Sequence, residues 1–194
     1  MPDIGAAPQR CRYHRANVAT NLSMNASFPA PYPCPERRVE PAWIDYNGHM
    51  NMAYYHLVFD QSLDQLFDAL GIGADYVKSG RGSCFTVEVH VNYVQEVALD
   101  DPLRVEYQLL DWDEKRLHFF ATMRHARDGF LAATSEQMSL HVDMHARKAS
   151  AFPADVQRRV AQLMDAHRAL PTPEQVGHVI RIPPARSKRA MTAT

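Results

Sequence analysis

The sequence has no excess of basic residues and no long apolar run. Its 21 Lys and Arg residues are balanced by 22 Asp and Glu residues, which leaves a formal net charge of -1. Proteins that bind the phosphate backbone of nucleic acids usually carry a basic excess, and a membrane-spanning helix needs roughly 18 consecutive apolar residues. We therefore expect neither a nucleic acid nor a membrane among the partners of this chain.

Cysteine is scarce, and the spacings typical of metal sites are absent. The sequence contains three isolated cysteines, Cys11, Cys34 and Cys84, and no HExxH motif. An odd number of unpaired cysteines favours reduced thiols over a disulfide framework. The first thirty residues also lack the apolar segment of about 7–15 residues that marks a secretory signal peptide. We therefore predict a cytoplasmic protein without a bound metal ion or other cofactor.

The chain is predicted to consist of one domain between two flexible segments. Prolines occupy every second position from Pro29 to Pro35, a spacing that favours extended chain over helix. We therefore predict a flexible leader over residues 1–36 and a flexible basic tail over residues 171–194. The domain between them, residues 37–170, is long enough to bury one sizeable core.

One long helix is predicted over residues 52–70. Asn51 is a suitable N-cap, because its side chain can accept hydrogen bonds from the first free backbone N–H groups. Gly71 is suited to end the helix in a left-handed conformation. The apolar residues between them recur with helical spacing: Phe59, Leu63, Leu66, Phe67 and Leu70.

Beyond Gly80, apolar and polar residues alternate, which is typical of β-strands with one buried face. The Asp128-Gly129 pair is a strong signal for a β-hairpin between two of these strands. The first alternating run puts five apolar side chains on one predicted face: Phe85, Val87, Val89, Val91 and Tyr93. Three further runs follow, at residues 103–109, 115–126 and 131–143.

The order of these elements predicts a layered architecture. A strand over residues 38–44 and a final helix over residues 154–168 complete the series, and short connections favour an antiparallel meander. One helix cannot cover both faces of such a sheet, so we expect the sheet to curve around the long helix. The polar face is then left for solvent or a second subunit. The predicted fold class is α+β, with a curved antiparallel sheet of five to six strands wrapped around one long helix.

The segment WIDYNGHMNMAYYHLVFD leads directly into the N-terminus of the long helix. Unpaired N–H groups and the positive end of the helix dipole lie there, where they can polarise a carbonyl or stabilise an oxyanion. Asp45 supplies a carboxylate nearby, and Gly48 is expected to let another backbone come close. Such a site offers what acyl hydrolysis requires. The residues also fit an alternative, in which Asp45 and Asn47 only form an Asx-type turn.

The segment DYNGHMNMAYY, placed before a long helix and a β-meander, resembles the hotdog-fold 4-hydroxybenzoyl-CoA thioesterase family. That family carries an Asp-x-x-Gly motif, often followed by His/Val-x-Asn. Asp45 and Gly48 match the motif, and His49 and Asn51 match its continuation. The resemblance implies that Asp45 attacks an acyl-CoA thioester or activates water, while a backbone N–H at Met52 faces the thioester oxygen. These five residues are the predicted catalytic site.

The resemblance covers residues 37–152 and extends to a narrower group. The segments PAWIDYNGHMNMAYY, VEVHVNYVQEV, KRLHFF and SLHVD are similar to the thioesterase domains of carnitine catabolism, some of which are fused to L-carnitine dehydrogenase. This similarity implies betainyl-CoA as the substrate, in a stand-alone enzyme. It also implies a homodimer or homotetramer with active sites between subunits. Thioesters of aromatic and short-chain fatty acids stay open as alternative substrates.

The implied substrate suggests two further sets of residues. A quaternary ammonium is held by aromatic faces and carboxylates, at about 0.5–2 kcal/mol per ring. The candidate substrate-binding residues are Trp43, Tyr46, Tyr54, Tyr55, Glu88 and Trp112. The phosphates of CoA call for basic side chains, and the candidates are Arg81, Lys115, Arg116 and Arg124. In the alternative interpretation the rings belong to the core, and the charged residues are ordinary surface groups.

Other assignments of the chemistry stay open. Asp60 and Asp64, one turn apart, are a rival pair, because other hotdog thioesterases place their catalytic carboxylate on the helix. Hydratases of this fold use a D-x-N-P-x-H loop, whereas DYNGH lacks the proline and is one residue shorter, which displaces His49. A non-catalytic acyl-CoA sensor would usually add a DNA-binding element, and neither terminal segment resembles one.

Overall fold

The computed structural model describes residues 27–182. Residues 1–26 and 183–194, which include Cys11 and large parts of the predicted leader and tail, lie outside the described residues. No helix within the described range is long and apolar enough to cross a membrane. The elements in chain order are β1 (Tyr32–Pro33), β2 (Arg37–Arg38), a 3-10 turn (Pro41–Trp43), α1 (Met52–Leu70), α2 (Ala74–Lys78), β3 (Ser83–Tyr93), β4 (Pro102–Trp112), β5 (Arg116–His125), β6 (Leu131–Asp143), β7 (Lys148–Ala149) and α3 (Ala154–His167).

Helix α1 begins and ends where the sequence predicts. The Asn51 side chain caps its start by accepting a backbone hydrogen bond at 3.0 Å. Gly71 ends it with a φ of 73°, a left-handed conformation that glycine adopts without steric cost. The apolar stripe is buried as predicted, and Phe59, Leu66 and Leu70 have no exposed surface. Local sequence signals therefore define this helix completely.

The main strands form one antiparallel sheet in the order β1-β4-β5-β6-β3, and α1 packs against one of its faces. The rings of Phe67 in α1 and Phe119 in β5 lie 6.3 Å apart between centroids. The buried Tyr107 hydroxyl of β4 donates a hydrogen bond to the Phe59 carbonyl oxygen of α1 at 2.7 Å. Burial of this shared apolar surface is the dominant favourable term for the fold. The predicted α+β architecture is confirmed.

The predicted strand over residues 38–44 is wrong. Of residues 38–44, only Arg38 pairs with β4, as part of the short strand β2, and the chain then forms a 3-10 turn at Pro41–Trp43. Pro41 explains the difference, because a proline has no N–H to donate to a sheet and its fixed φ suits the start of a helical turn. The segment before the motif therefore turns instead of extending.

The predicted single apolar face of β3 is also wrong. The pairing register between β3 and β6 shifts at Val87, which leaves that residue as a β-bulge. Beyond the bulge, Val89 lies opposite Gln137 on the face toward α1, whereas Phe85 lies opposite Leu140 on the outer face. A bulge inserts one residue and so reverses the alternation of side chains. Phe85 and Val87 are consequently 44% and 55% exposed.

The folded part of the chain begins before the predicted boundary at residues 36 and 37. Strand β1 pairs with β4, with Tyr32 opposite Tyr107. Cys34 is only 7% exposed, and its N–H donates to the Val105 carbonyl oxygen at 2.9 Å. The prolines here lie at the edge of the sheet, where a residue without a backbone N–H does not break a hydrogen bond between strands. The stretch is extended, but it belongs to the sheet instead of a flexible leader.

The described part of the predicted tail packs on the outer face of the sheet. The Gln108 side chain donates to the Pro171 carbonyl oxygen at 3.3 Å, and the Gly177 N–H donates to the Glu136 carboxylate at 2.8 Å. These contacts correct the boundary predicted at residues 170 and 171, because the fold continues at least to Gly177.

Candidate active site

Residues 45–49 form a tight loop that one isolated β-bridge closes. The Asp45 N–H donates to the His49 carbonyl oxygen at 3.1 Å, and the Gly48 N–H donates to the Asp45 carbonyl oxygen at 3.0 Å. Gly48 has a φ of +84°, and no atom lies within 4 Å of the position that a Cβ would occupy. Its backbone conformation therefore favours glycine, and no backbone within residues 27–182 makes the close approach that the sequence suggested.

Asp45 is half-buried, and its carboxylate has one engaged and one unengaged oxygen. Oδ1 accepts a hydrogen bond from the Asn47 N–H at 2.8 Å, which is the Asx-type turn of the alternative interpretation. No group in residues 27–182 donates to Oδ2. The turn thus holds the carboxylate in a defined orientation and leaves one oxygen available to a substrate or a water molecule.

The backbone N–H of Met52, in the first turn of α1, lies open beside this loop. The Asn51 side chain accepts from the Ala53 N–H, and the Asn51 carbonyl oxygen accepts from the Tyr54 N–H. Within residues 27–182, the Met52 N–H has no acceptor. A helix N-terminus carries a partial positive charge, so this N–H is suited to a carbonyl oxygen that gains negative charge. Asn51 shapes the site as the helix cap.

A cleft of about 410 Å³ lies between this loop and the end of β3. The Met50 N–H holds the loop next to the segment after β3 by donating a hydrogen bond to the Val97 carbonyl oxygen at 2.9 Å. Six of the predicted site residues line the cleft: Asp45, Tyr46, His49, Asn51, Met52 and Tyr55. The opposite wall consists mainly of residues that the sequence did not single out: Tyr93, Val94, Gln95 and Glu96. These lie far from the motif in the chain, so no local pattern marks them.

Two tyrosines form a rigid corner of the cleft. The Tyr55 hydroxyl accepts a hydrogen bond from the Val97 N–H at 3.2 Å, and the Tyr93 hydroxyl donates to the Met52 carbonyl oxygen at 3.3 Å. The two rings meet edge to face, with centroids 5.3 Å apart. Burial raises the pKa of both hydroxyls, so they stay protonated at neutral pH.

The cleft is acidic. Its lining includes the carboxylates of Asp45 and Glu96 and the imidazole of His49, and no Lys or Arg. Glu96 Oε2 lies 3.8 Å from His49 Nε2, and both side chains are open to solvent, at 75% and 34%. An acyl group with a negative charge would therefore meet repulsion here, whereas a positive one would meet attraction.

The remaining predicted substrate-binding residues lie outside the cleft. Trp43 is 6% exposed and stacks on Tyr54 at 5.6 Å between ring centroids, so this pair belongs to the core. Glu88 lies on the outer face of β3, opposite Met138. Trp112 lies at the end of β4 beside the β4–β5 turn, at the opposite end of the sheet. The structure does not bring these four side chains together with Asp45.

None of the predicted CoA-binding residues lines the cleft of its own chain. Arg81 precedes β3 and pairs with Asp155 at 2.6 Å. Lys115 and Arg116 occupy the β4–β5 turn, at the same end of the sheet. Arg124 lies nearer to the cleft, but it points to the outer face and lines a second cavity under the C-terminal segment.

The rival carboxylates of α1 are solvent-exposed and do not line the cleft. Asp60 and Asp64 lie eight and twelve residues beyond Met52, which places them about 12 and 18 Å along the helix axis. The pKa of Asp64 is raised by partial burial and by the neighbouring carboxylates of Asp60 and Asp68. These acids form a stripe on the surface of the helix, apart from the open helix terminus.

The two cysteines within residues 27–182 are not suited to act as nucleophiles. Cys34 and Cys84 are free, and burial raises the pKa of each thiol to about 12. A thiolate is therefore scarce at neutral pH. Within residues 27–182, no group of three or more His, Cys, Asp or Glu side chains is placed to hold a metal ion.

Known proteins match this chain over most of its length. The model of the thioesterase-like superfamily matches residues 39–160. A betainyl-CoA thioesterase from Pseudomonas aeruginosa is 42% identical over 151 residues, which cover 78% of this chain and 95% of that protein. An L-carnitine dehydrogenase/betainyl-CoA thioesterase from Rhizobium meliloti is 39% identical over 142 residues, which cover 73% of this chain but only 28% of that longer protein.

A solved structure matches the fold as well. A hypothetical protein from Staphylococcus aureus, determined in complex with CoA, superposes with a TM-score of 0.75 and 31% sequence identity. The superposition covers 82% of this chain and 99% of that protein. Sequence and fold therefore point to the same group of proteins.

Proposed function

Because the chain belongs to the thioesterase-like superfamily, with the hotdog fold that the motif predicted, we propose that it hydrolyses betainyl-CoA to betaine and CoA. The thioesterase from Pseudomonas aeruginosa supports this substrate through its identity over nearly its whole length. One structural observation carries the proposal. Asp45, which has an unengaged carboxylate oxygen, and Met52, which has an open N–H, line the same cleft.

The proposed chemistry follows from these two groups. The thioester oxygen accepts a hydrogen bond from the Met52 N–H, which stabilises the oxyanion that forms in the transition state. Asp45 acts through Oδ2, either as the nucleophile or as the base for water. In the first route the CoA thiolate leaves an acyl-Asp45 anhydride, which water then opens. In the second route water loses a proton to Asp45, adds to the carbonyl carbon and displaces the thiolate. Both routes consume one water molecule and release a carboxylic acid and CoA.

We further propose that two or more copies assemble through strand β3. Within residues 27–182 no strand pairs with its outer edge, although the strand is 11 residues long. The strand also exposes apolar side chains, among them Phe85 and Val87. A long, apolar, unpaired edge is a liability unless another strand covers it. A homodimer, or a homotetramer built from such dimers, would protect this edge.

The proposed pairing would also complete the binding site for CoA. Two copies of β3 that pair antiparallel about a two-fold axis place the start of one strand beside the end of the other. Arg81 of one copy would then lie near the cleft of its partner. Arg147 and Lys148, exposed on the neighbouring β6–β7 turn, add positive charge at the same end of the sheet. We propose that these cations bind the phosphates of CoA, and that the other predicted CoA residues have weaker roles.

The proposed enzyme works in a cytoplasmic setting, where CoA thioesters are the substrates and thiols stay reduced. Cys34 and Cys84 suit such a compartment as free thiols.

The direct test measures release of free CoA from the full-length chain with a thiol reagent. The panel contains betainyl-CoA, butyryl-CoA, 4-hydroxybenzoyl-CoA and tert-butylacetyl-CoA, in which a carbon replaces the ammonium nitrogen. We expect the highest kcat/KM for betainyl-CoA. Higher values for the aromatic or fatty acyl thioesters would reassign the substrate. Binding of every thioester without CoA release would overturn the proposed hydrolase and favour an acyl-CoA sensor.

A further inference from the structure

A side chain just beyond the end of β3 supplies the cleft with a negative charge that no Lys or Arg in residues 27–182 compensates. Glu96 follows β3 and faces the cleft from the wall opposite Asp45. Within residues 27–182, its only partner at ion-pair distance is the His49 imidazole, whose Nε2 lies 3.8 Å from Oε2. A carboxylate that lacks a Lys or Arg partner is free to serve as the counter-charge of a bound cation.

The ring of Tyr93 lies on the same wall. It remains 47% exposed, although its hydroxyl donates to the Met52 carbonyl oxygen and its ring packs edge to face with Tyr55. These contacts hold the ring against Tyr55 and the carbonyl group of Met52. An aromatic ring that is both fixed and partly open to solvent offers its π system to a ligand without a large ordering cost.

The geometry of a betainyl thioester requires its cation to lie within this cleft. The ammonium nitrogen is only two bonds, or about 2.5 Å, from the thioester carbon. A carbonyl placed between Asp45 and the Met52 N–H therefore brings the trimethylammonium group into the same 410 Å³ space. A quaternary ammonium has no N–H to donate, so aromatic faces and carboxylate charges have to recognise it.

We propose that Glu96 and Tyr93 form the subsite that recognises the quaternary ammonium of the acyl group. This inference rests on the proposed hydrolysis of betainyl-CoA. It replaces Glu88 and the two tryptophans as determinants of the cation, because those side chains lie on the outer face, in the core or at the far end of the sheet. Glu96 acts on specificity, whereas Asp45 performs the chemistry.

The test compares betainyl-CoA with tert-butylacetyl-CoA, since the two acyl groups share a shape and differ in charge. We expect Glu96→Gln to lower kcat/KM for betainyl-CoA about fivefold, mostly through KM, and to leave the uncharged thioester unchanged; the effect is modest because the carboxylate is partly solvated. Glu96→Lys should reverse the preference. Glu114→Gln is the matched control, because Glu114 is also exposed but lies in the β4–β5 turn at the opposite end of the sheet.

The aromatic part of the subsite is tested with two variants of Tyr93. Tyr93→Leu removes the ring and should lower the preference for betainyl-CoA about threefold, as expected for one partly solvated cation–π contact. Tyr93→Phe keeps the ring and should preserve the preference. Loss of preference in both variants would point to the hydroxyl group and contradict the proposed role of the ring.

The outcomes separate this inference from the proposed function. If the wild-type protein hydrolyses neither thioester, the proposed function fails. If it hydrolyses betainyl-CoA with a clear preference that survives Glu96→Gln, Glu96→Lys and Tyr93→Leu, the hydrolase stands and the subsite is overturned. Equal activity of the wild-type protein on both thioesters would also overturn the subsite. A loss of charge preference in the Glu96 and Tyr93→Leu variants, but not in Glu114→Gln, supports it.

Discussion

The two ends of strand β3 differ in their charged side chains: Lys and Arg are absent from the described lining of the cleft at one end, whereas Arg81, Lys115 and Arg116 at the other end each pair with a carboxylate. The strand ends at Tyr93 and leads into a cleft whose described lining contains two carboxylates and the imidazole of His49, but no Lys or Arg. It begins after Arg81, at the end of the sheet that also holds Lys115 and Arg116. Ten residue steps of about 3.3 Å separate the two ends by about 33 Å. One chain therefore keeps the groups suited to a cationic acyl group far from those suited to phosphates.

The distance between the two ends of β3 gives a physical role to a second copy of the chain. An antiparallel dimer would place the basic end of one β3 beside the acidic end of the other. The substrate would then lie across the boundary, with its acyl group on one chain and its phosphates on the other. The two ends of the strand are thus expected to respond differently to mutation.

The largest effect of a mutation on activity is expected at the cleft, beside the end of β3. Asp45→Asn keeps the size of the side chain but removes its charge and its basicity, so kcat should fall by about 10²–10⁴-fold. Asp60→Asn, on the exposed stripe of α1, is the control and should change kcat less than twofold. Steady-state release of CoA measures both variants. If Asp60→Asn instead lost most of its kcat while Asp45→Asn stayed active, the catalytic carboxylate would be Asp60 on helix α1.

The next effect is expected between the two ends, at the exposed β-bulge. Val87→Asp places a negative charge on each copy at the proposed boundary, and like charges in such contact oppose association. We expect a monomer by light scattering and at least a tenfold lower kcat/KM. Val179→Asp is the control, because Val179 is 70% exposed on the C-terminal segment. A monomeric wild-type protein with full activity would contradict the shared site.

A smaller effect is expected at the basic end. Arg81→Ala should raise KM for acyl-CoA about fivefold through the loss of one charge-assisted contact with phosphate. The same variant should hydrolyse an acyl-N-acetylcysteamine thioester normally, because that substrate has no phosphates. Arg124→Ala, on the outer face, should change both KM values less than twofold. Equal losses on both thioesters would show that Arg81 acts on folding and not on CoA.

The smallest effect on activity is expected at His167, which lies away from both ends of β3. Its Nδ1 accepts from the Leu109 N–H at 2.9 Å, and its Nε2 donates to the Pro29 carbonyl oxygen at 2.9 Å. Burial lowers the pKa of His167, so the unfolded chain binds a proton at a higher pH than the folded one. This contribution to stability is complete above the unfolded pKa of about 6.5 and is lost as the pH falls toward the lower folded pKa.

Thermal unfolding at several pH values tests this contact. The Tm should fall as the pH decreases through about 6.5, and His167→Gln should have a lower Tm at neutral pH with a flatter pH dependence. The kcat of the folded variant should not change, because His167 does not line the cleft. His145→Gln, at an exposed histidine, is the control. Identical pH profiles for wild type and His167→Gln would contradict the assignment.

The elements that were predictable from the sequence are those with local causes. The Asn51 cap, the apolar stripe and the Gly71 stop all act within a few residues, and together they define α1. The Asp45 motif also acts locally, because its turn and the helix terminus are neighbours in the chain. The bulge at Val87 was not predictable, because it depends on the register with β6 and leaves the apolar alternation intact.

The second wall of the cleft depends on tertiary pairing. Tyr93 and Glu96 become part of the site only because β3 ends beside the start of α1, and nothing in their own segment indicates this. Glu88 and Trp112 have the right chemistry for a cation, but alternation alone does not reveal which end of the sheet a residue occupies. The resemblance of the motif to a known family suggested the reaction, whereas the residues across the cleft required the fold.

The most direct measurement is a crystal structure of the full-length protein with a non-hydrolysable thioether analogue of betainyl-CoA that retains the carbonyl group. We predict the carbonyl oxygen about 2.7–3.1 Å from the Met52 nitrogen, with Asp45 Oδ2, or a water molecule bound to it, about 3–3.5 Å from the carbonyl carbon. A carbonyl bound away from the start of α1, with Asp45 facing only solvent, would contradict the account.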